Sequence, residues 1–97
     1  MKIYISGKIT GDSGYLEEFK EAEKKVRPQY KGCEVINPAL ILQKLPESTT
    51  HEEYMKVSLC LLDMCDSIYM LPDWEESEGA YIEYHMAFDM GYQILGV

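Results

Sequence analysis

The run Ser67-Ile68-Tyr69-Met70-Leu71, bracketed by Asp66 and Pro72, narrows the possible folds more than any other stretch. It is apolar at consecutive positions rather than at alternate ones. A strand of that kind has no face to turn to water, so it belongs in a sheet covered on both sides. Parallel sheets are covered in this way, because the helices that connect their strands lie across the faces.

The rest of the chain supplies strands and helices in alternation. Lys2–Ser6 is β-branched and aromatic and stops at Gly7, which predicts a first strand. Tyr15, Phe19, Ala22 and Val26 recur at helical spacing, with Ser13 placed to cap that helix and Pro28 to end it. Cys33–Asn37 reads as a short second strand stopped by Pro38, followed by a connection over 39–50 with one helical turn. Thr50 and Glu53 form a capping box that opens the plainest helix, running to Cys65. Its apolar surface is wide: Tyr54, Val57, Leu61 and Met64 on one side, Met55, Leu59 and Leu62 on another. Such a helix is expected to pack on two things, a sheet and a partner subunit. Ser77 caps a last helix from Glu78 to about Met90, Gly91 ends it, and Tyr92–Val97 is a final strand. The expected fold is one domain over 1–97. It is a three-layer, flavodoxin- or Rossmann-like α/β sheet of about four parallel strands with helices on both faces.

Charge excludes some partners. A formal net charge of −8 disfavours nucleic-acid polymers and anionic membranes, since both reward clustered lysine and arginine. No apolar run approaches the ~20 residues of a membrane span, and the start "MKIYIS" is too short and polar for a signal peptide, so a cytoplasmic setting is expected. Cys33, Cys60 and Cys65 are odd in number and lack zinc spacing, and read as small buried hydrophobes in a reducing compartment. His51 and His85 have no second ligand nearby. No metal and no cofactor are expected.

In parallel α/β sheets, ligands bind beyond the carboxyl ends of the strands. Two loops belong to that edge: Ser6–Ser13, with Gly7 and Gly11, and Pro72–Gly79. Asp73, Glu75, Glu76, Glu78 and Glu83 crowd into the second loop and the helix after it. Four of them sit in a polar run that reads as a solvated loop and first turn, but Glu83 lies inside the apolar helix pattern. Trp74 has two readings, a stacking cap for a ligand or a shield for the loop's underside. Lys8 is either an anion contact or an ordinary loop lysine.

The stretches "KIYISGKITG" and "CDSIYMLPDWEESEGAYIE", and the order between them, resemble the nucleoside 2-deoxyribosyltransferase-like proteins, closest to a compact branch described only as a domain of unknown function. The resemblance spans nearly the whole chain. It implies cleavage of an N-glycosidic bond, or deoxyribosyl transfer, on a nucleoside or nucleoside 5′-monophosphate, by a homodimer or larger homo-oligomer. In the pattern Ser77-Glu78-Gly79-Ala80-Tyr81-Ile82-Glu83, followed by Ala87, Glu83 falls on the nucleophile and Ser77 on a phosphate-holding serine. Tyr4 falls on a tyrosine that hydrogen-bonds the nucleophile, and Gly7 on a glycine bordering the ligand. The substrate is then expected to meet Ser6, Gly7, Lys8 and Ile9 in the first loop, and Ser77 and Gly79 at the start of the last helix.

The chemistry calls for a second carboxyl as proton donor, and Asp73 is the candidate because it opens the loop directly after the strand. Two departures from the family pattern stand out. Ser58 occupies the place of an aspartate eight residues before Asp66, and the first loop offers Lys8 and Thr10 instead of an arginine. Ser77 and the first loop are expected to take a phosphate weakly. The alternative to an enzyme is a non-catalytic nucleotide-binding protein, a sensor or sequestering module, with the same pocket.

Overall fold

The computed structural model describes Met1–Val97. Four strands, β1 (Lys2–Ser6), β2 (Glu34–Ile36), β3 (Ser67–Met70) and β4 (Gln93–Leu95), form one sheet in the order β2-β1-β3-β4. Every neighbouring pair is parallel. Four α-helices connect them: α1 (Tyr15–Gln29), α2 (Pro38–Leu42), α3 (His51–Asp63) and α4 (Glu78–Asp89), with a 3-10 turn at Trp74–Glu76. No helix is long and apolar enough to cross a membrane.

Register decides which side chains share a face. Tyr4 pairs with Ile36 and Ile68, and Ile68 pairs with Ile94, so these four point to one side. They meet Leu62 and Cys65 near the end of α3, and Ala80 and Ala87 of α4. Ile5 pairs with Tyr69 and points the other way, where it packs with Phe19 and Ala22 of α1, Ala39 of α2, and Leu71. The three layers expected from the apolar Ser67–Leu71 run are therefore present.

Several local expectations are corrected. Ser13 does not cap α1. The cap position is Gly14, whose N–H donates to Asp12 Oδ1 at 2.9 Å, so the aspartate two residues back makes the turn instead. Pro28 does not stop α1 but sits in its last turn, and the Tyr30 N–H still reaches the Val26 carbonyl. A proline so near the end removes an N–H bond without blocking the next one. The connection after β2 begins with a true short helix, because Asn37 accepts from Ala39 N–H and Pro38 takes the first helical position. Cys60 is exposed and Cys33 half-buried, so only Cys65 fits the buried reading. Gly91 closes α4 with φ of 77°, as expected.

From β1 the chain leaves through α1 towards β2, and from β3 it leaves through α4 in the opposite direction. The crevice between their carboxyl ends is the switch point of the sheet. Gly7 lies there against Leu71: a Cβ on Gly7 would sit 2.6 Å from Leu71 Cδ1 and 2.9 Å from its Cβ. Gly7→Ala should therefore destabilise the fold by about 1–3 kcal/mol through overpacking, read from the urea midpoint. An unchanged midpoint would show that the two strand ends can part without cost.

Candidate active site

At that edge lies a cavity of about 950 Å³. Its walls come from the loop after β1 (Gly7 to Thr10), the start of α1 (Tyr15, Leu16), and the α2–α3 connection with Leu42, Leu45 and Glu47. The first half of α3 adds His51, Tyr54, Met55 and Ser58, and the end of the 3-10 turn with the start of α4 adds Glu76 to Ala80. Glu83 is also part of the lining.

Glu83 is buried because of where it falls on α4. Ala80 and Ala87 lie three residues before it and four after, on the stripe that packs against the sheet. Their small side chains let the helix approach closely, and Glu83 is drawn in between them with 6% of its surface left exposed. Two hydroxyls from β1 meet its carboxylate. Tyr4 Oη donates to Oε2 at 2.5 Å, and Ser6 Oγ donates to Oε1 at 2.7 Å. Residues 4 and 6 reach the same helix because alternate strand residues share a face. The hydrogen bond expected from Tyr4 to Glu83 is thus present.

Burial dominates the electrostatics of this carboxyl. It pushes the Glu83 pKa up from 4.5 to about 7, against the Tyr4 and Ser6 donors, which favour the ionised form. Tyr4 is pushed well above its usual 10 by burial first and by the Glu83 charge second. The phenol therefore remains a donor throughout the neutral range. Glu83 is left ionisable near neutrality, with its charge supported by two oriented hydroxyls.

The other expected site residues are placed as follows. Gly7, Lys8, Ile9, Ser77 and Gly79 line the cavity with Glu83. Ser6 does not line it. With 1% exposure and its hydroxyl committed to Glu83, it positions the carboxylate rather than meeting a ligand. Gly79 also has a packing role, since a Cβ there would meet Met55 Sδ at 3.1 Å. Ser77 caps α4 by accepting from Ala80 N–H at 3.1 Å.

Asp73 is not brought to Glu83. It lies in a neighbouring cleft with Lys8, Glu17, Glu18 and Glu21, because the chain turns away immediately after Pro72 into the 3-10 turn. Trp74 likewise leaves the cavity, and stacks on Tyr84 and Tyr81 of α4 with ring centroids 4.6 and 6.0 Å away. It therefore does not border this cavity. The aromatic rings that do line the cavity are Tyr15 and Tyr54, which helical spacing marked only as core. Ser58 is 4% exposed, faces Tyr4 from α3 and lines the cavity.

No curated protein and no solved structure matches the chain. The sequence pattern described as "Domain of unknown function (DUF4406)" matches residues 1–96, and the chain belongs to that family.

Proposed function

We propose that this protein cleaves the N-glycosidic bond of a nucleoside, with Glu83 as the nucleophile, and passes the sugar to water or to a second base. The observation that carries this reading is the burial of Glu83 at the inner end of a large cavity, held by Tyr4 and Ser6. A buried carboxyl with two donors and no cation beside it is costly to the fold, which is common where a charge has chemical work. An oxocarbenium-like sugar is the kind of electrophile such a group attacks. The resemblance of Ser77-x-Gly79-x-x-x-Glu83 to the nucleoside 2-deoxyribosyltransferase-like pattern points the same way.

In this reading one Glu83 oxygen attacks the anomeric carbon while Tyr4 and Ser6 keep the carboxylate fixed. Tyr15 and Tyr54 flank the space for the base, and Gly7–Ile9 and Ser77 border the sugar. The test is a panel of nucleosides and 5′-monophosphates incubated with wild type and Glu83→Ala, with free base read by chromatography. Base release by wild type and a loss of at least ~10³-fold in the variant are expected. Equal release by both proteins would remove the proposal. The binding-only alternative draws on Ser58, which places a hydroxyl where a second carboxyl would serve as acid.

The active form in this proposal is a homodimer joined through the outer face of α4. That face leaves Tyr81 49%, Ile82 41% and Phe88 63% exposed, an apolar surface that water alone covers poorly. The expectation from sequence centred on α3, which leaves no large apolar side chain strongly exposed, Met64 lying just past its end. Light scattering should give twice the chain mass of 11.2 kDa at micromolar concentration, and Phe88→Glu should give the single mass. A wild-type monomer would exclude the dimer.

A further inference from the structure

We propose that the substrate is an N-glycoside whose leaving base already carries a positive charge: an N-alkylated nucleoside or a pyridinium riboside. This rests on the N-glycosidase reading above and names the substrate class of the same site.

Two independent features support it. The first is that no second carboxyl acts on Glu83, although Glu47, Glu76 and Glu78 line the same cavity. A neutral base leaves as an anion unless a nearby group protonates it, and the usual source is a second carboxyl ~5 Å from the nucleophile. Asp73 lies in the other cleft, and the α3 position that faces Tyr4 is Ser58. Tyr4 and Ser6 both give their protons to Glu83. His51 is seven residues before Ser58, about 10 Å away along α3, at its exposed first turn. Glu78 is five residues before Glu83, about 7.5 Å back along α4. Neighbouring carboxylates contribute nothing to the raised pKa of Glu83, whose upward cause is burial alone.

The second feature is the charge of the walls. Glu47, Glu76 and Glu78 line the cavity in addition to Glu83, against the single ammonium of Lys8. The helix N-termini that could offset this are partly used by their own caps. Ala80 N–H is held by Ser77 Oγ, and Glu53 N–H and Thr50 N–H are exchanged within the capping box. A phosphate would meet mostly like charge, whereas a cationic ring in this cavity would meet carboxylates and the aromatic side chains Tyr15 and Tyr54.

The chemistry balances without an acid. A Glu83 oxygen bonds to the anomeric carbon as the carbon–nitrogen bond breaks. The bonding pair goes to the ring nitrogen and cancels its charge, so the base leaves neutral. Water then attacks the glycosyl ester, the bonding pair returns to Glu83, and the surplus proton goes to solvent.

The experiment compares matched pairs in ribo and 2′-deoxyribo forms. One pair is guanosine and 7-methylguanosine; the other is a pyridinium riboside and its neutral dihydropyridine counterpart. Glu83→Gln supplies the spontaneous background. Above that background, the cation should exceed its neutral partner by at least ~100-fold in kcat/KM, the worth of the absent general acid. Binding to Glu83→Gln should favour the cation about tenfold, and Glu76→Gln with Glu78→Gln should erase that preference. Neutral nucleosides cleaved as fast as cations would overturn the inference and leave the N-glycosidase reading standing. Release that does not exceed background for any pair would overturn both.

Discussion

Glu83→Gln should make the protein more stable at pH 8 and inactive at the same time. In the fold the carboxyl titrates at about 7 because it is buried, whereas in the unfolded chain it returns to 4.5. Between those values the native state holds a proton that the unfolded state has lost, so wild-type stability falls as pH rises through the window. The fall amounts to about 3 kcal/mol once Glu83 is fully ionised. Glutamine keeps the shape, still accepts a hydroxyl hydrogen bond, and has no charge to bury. The variant should therefore melt about 10–20 °C higher than wild type at pH 8. The gap should narrow through pH 6 and close near pH 4.5, where both side chains are neutral. Scanning calorimetry across that range is the measurement. A gap independent of pH would mean that Glu83 is not desolvated as its position implies. Stability gained together with activity lost is the signature of a strained functional group rather than a structural one.

Tyr4→Phe should act in the opposite sense. It removes the Tyr4 Oη bond to Glu83 Oε2 and leaves Ser6 as the remaining donor to the carboxylate. Losing a hydrogen bond to a charged group costs about 1.5–3 kcal/mol, and that cost applies only where Glu83 is ionised. The variant should match wild type most closely below pH 6 and lose stability relative to it progressively as pH rises through about 7, where Glu83 ionises in the fold. With less support for its charge, Glu83 should titrate about one to two units higher. If base release needs the ionised form, its pH midpoint should move up by the same amount. A Tyr4→Phe protein with an unmoved midpoint would show that the phenol has no electrostatic hold on the carboxylate. Ser58 deserves the same comparison, because it borders Tyr4 from the α3 side and its hydroxyl works against the rise in the tyrosine's pKa.

The architecture was legible because period and punctuation agree along the chain. Ser67–Leu71 lacks alternation and Lys2–Ser6 is β-branched and aromatic, so both read as strands of a covered sheet. The Thr50–Glu53 capping box, Ser77 and Gly91 mark helix ends by local hydrogen bonds and by the freedom of glycine at positive φ. These are short-range effects, and the chain carries them wherever it goes. Ser13 and Pro28 misled for the same reason in reverse. A capping residue or a proline states a preference, and an adjacent competitor such as Asp12, or a position in the final turn, is enough to overrule it.

What the sequence determined by itself was the alternation of strands and helices that makes a covered parallel sheet, and Glu83 as the charge on an apolar helix face, whereas Tyr4 was marked only by the family resemblance. What only the tertiary structure decided was which groups share the cavity with it. Asp73 follows β3 directly but turns into another cleft, Trp74 folds back onto Tyr84, and Ser6 gives its hydroxyl to Glu83. Tyr15, Tyr54 and Ser58 arrive from α1 and α3, 68, 29 and 25 residues from Glu83 in the chain. No local rule connects residues at that distance. They meet because parallel strands bring the N-terminal ends of the helices that follow β1 and β3, and of the helix that precedes β3, to the same edge of the sheet.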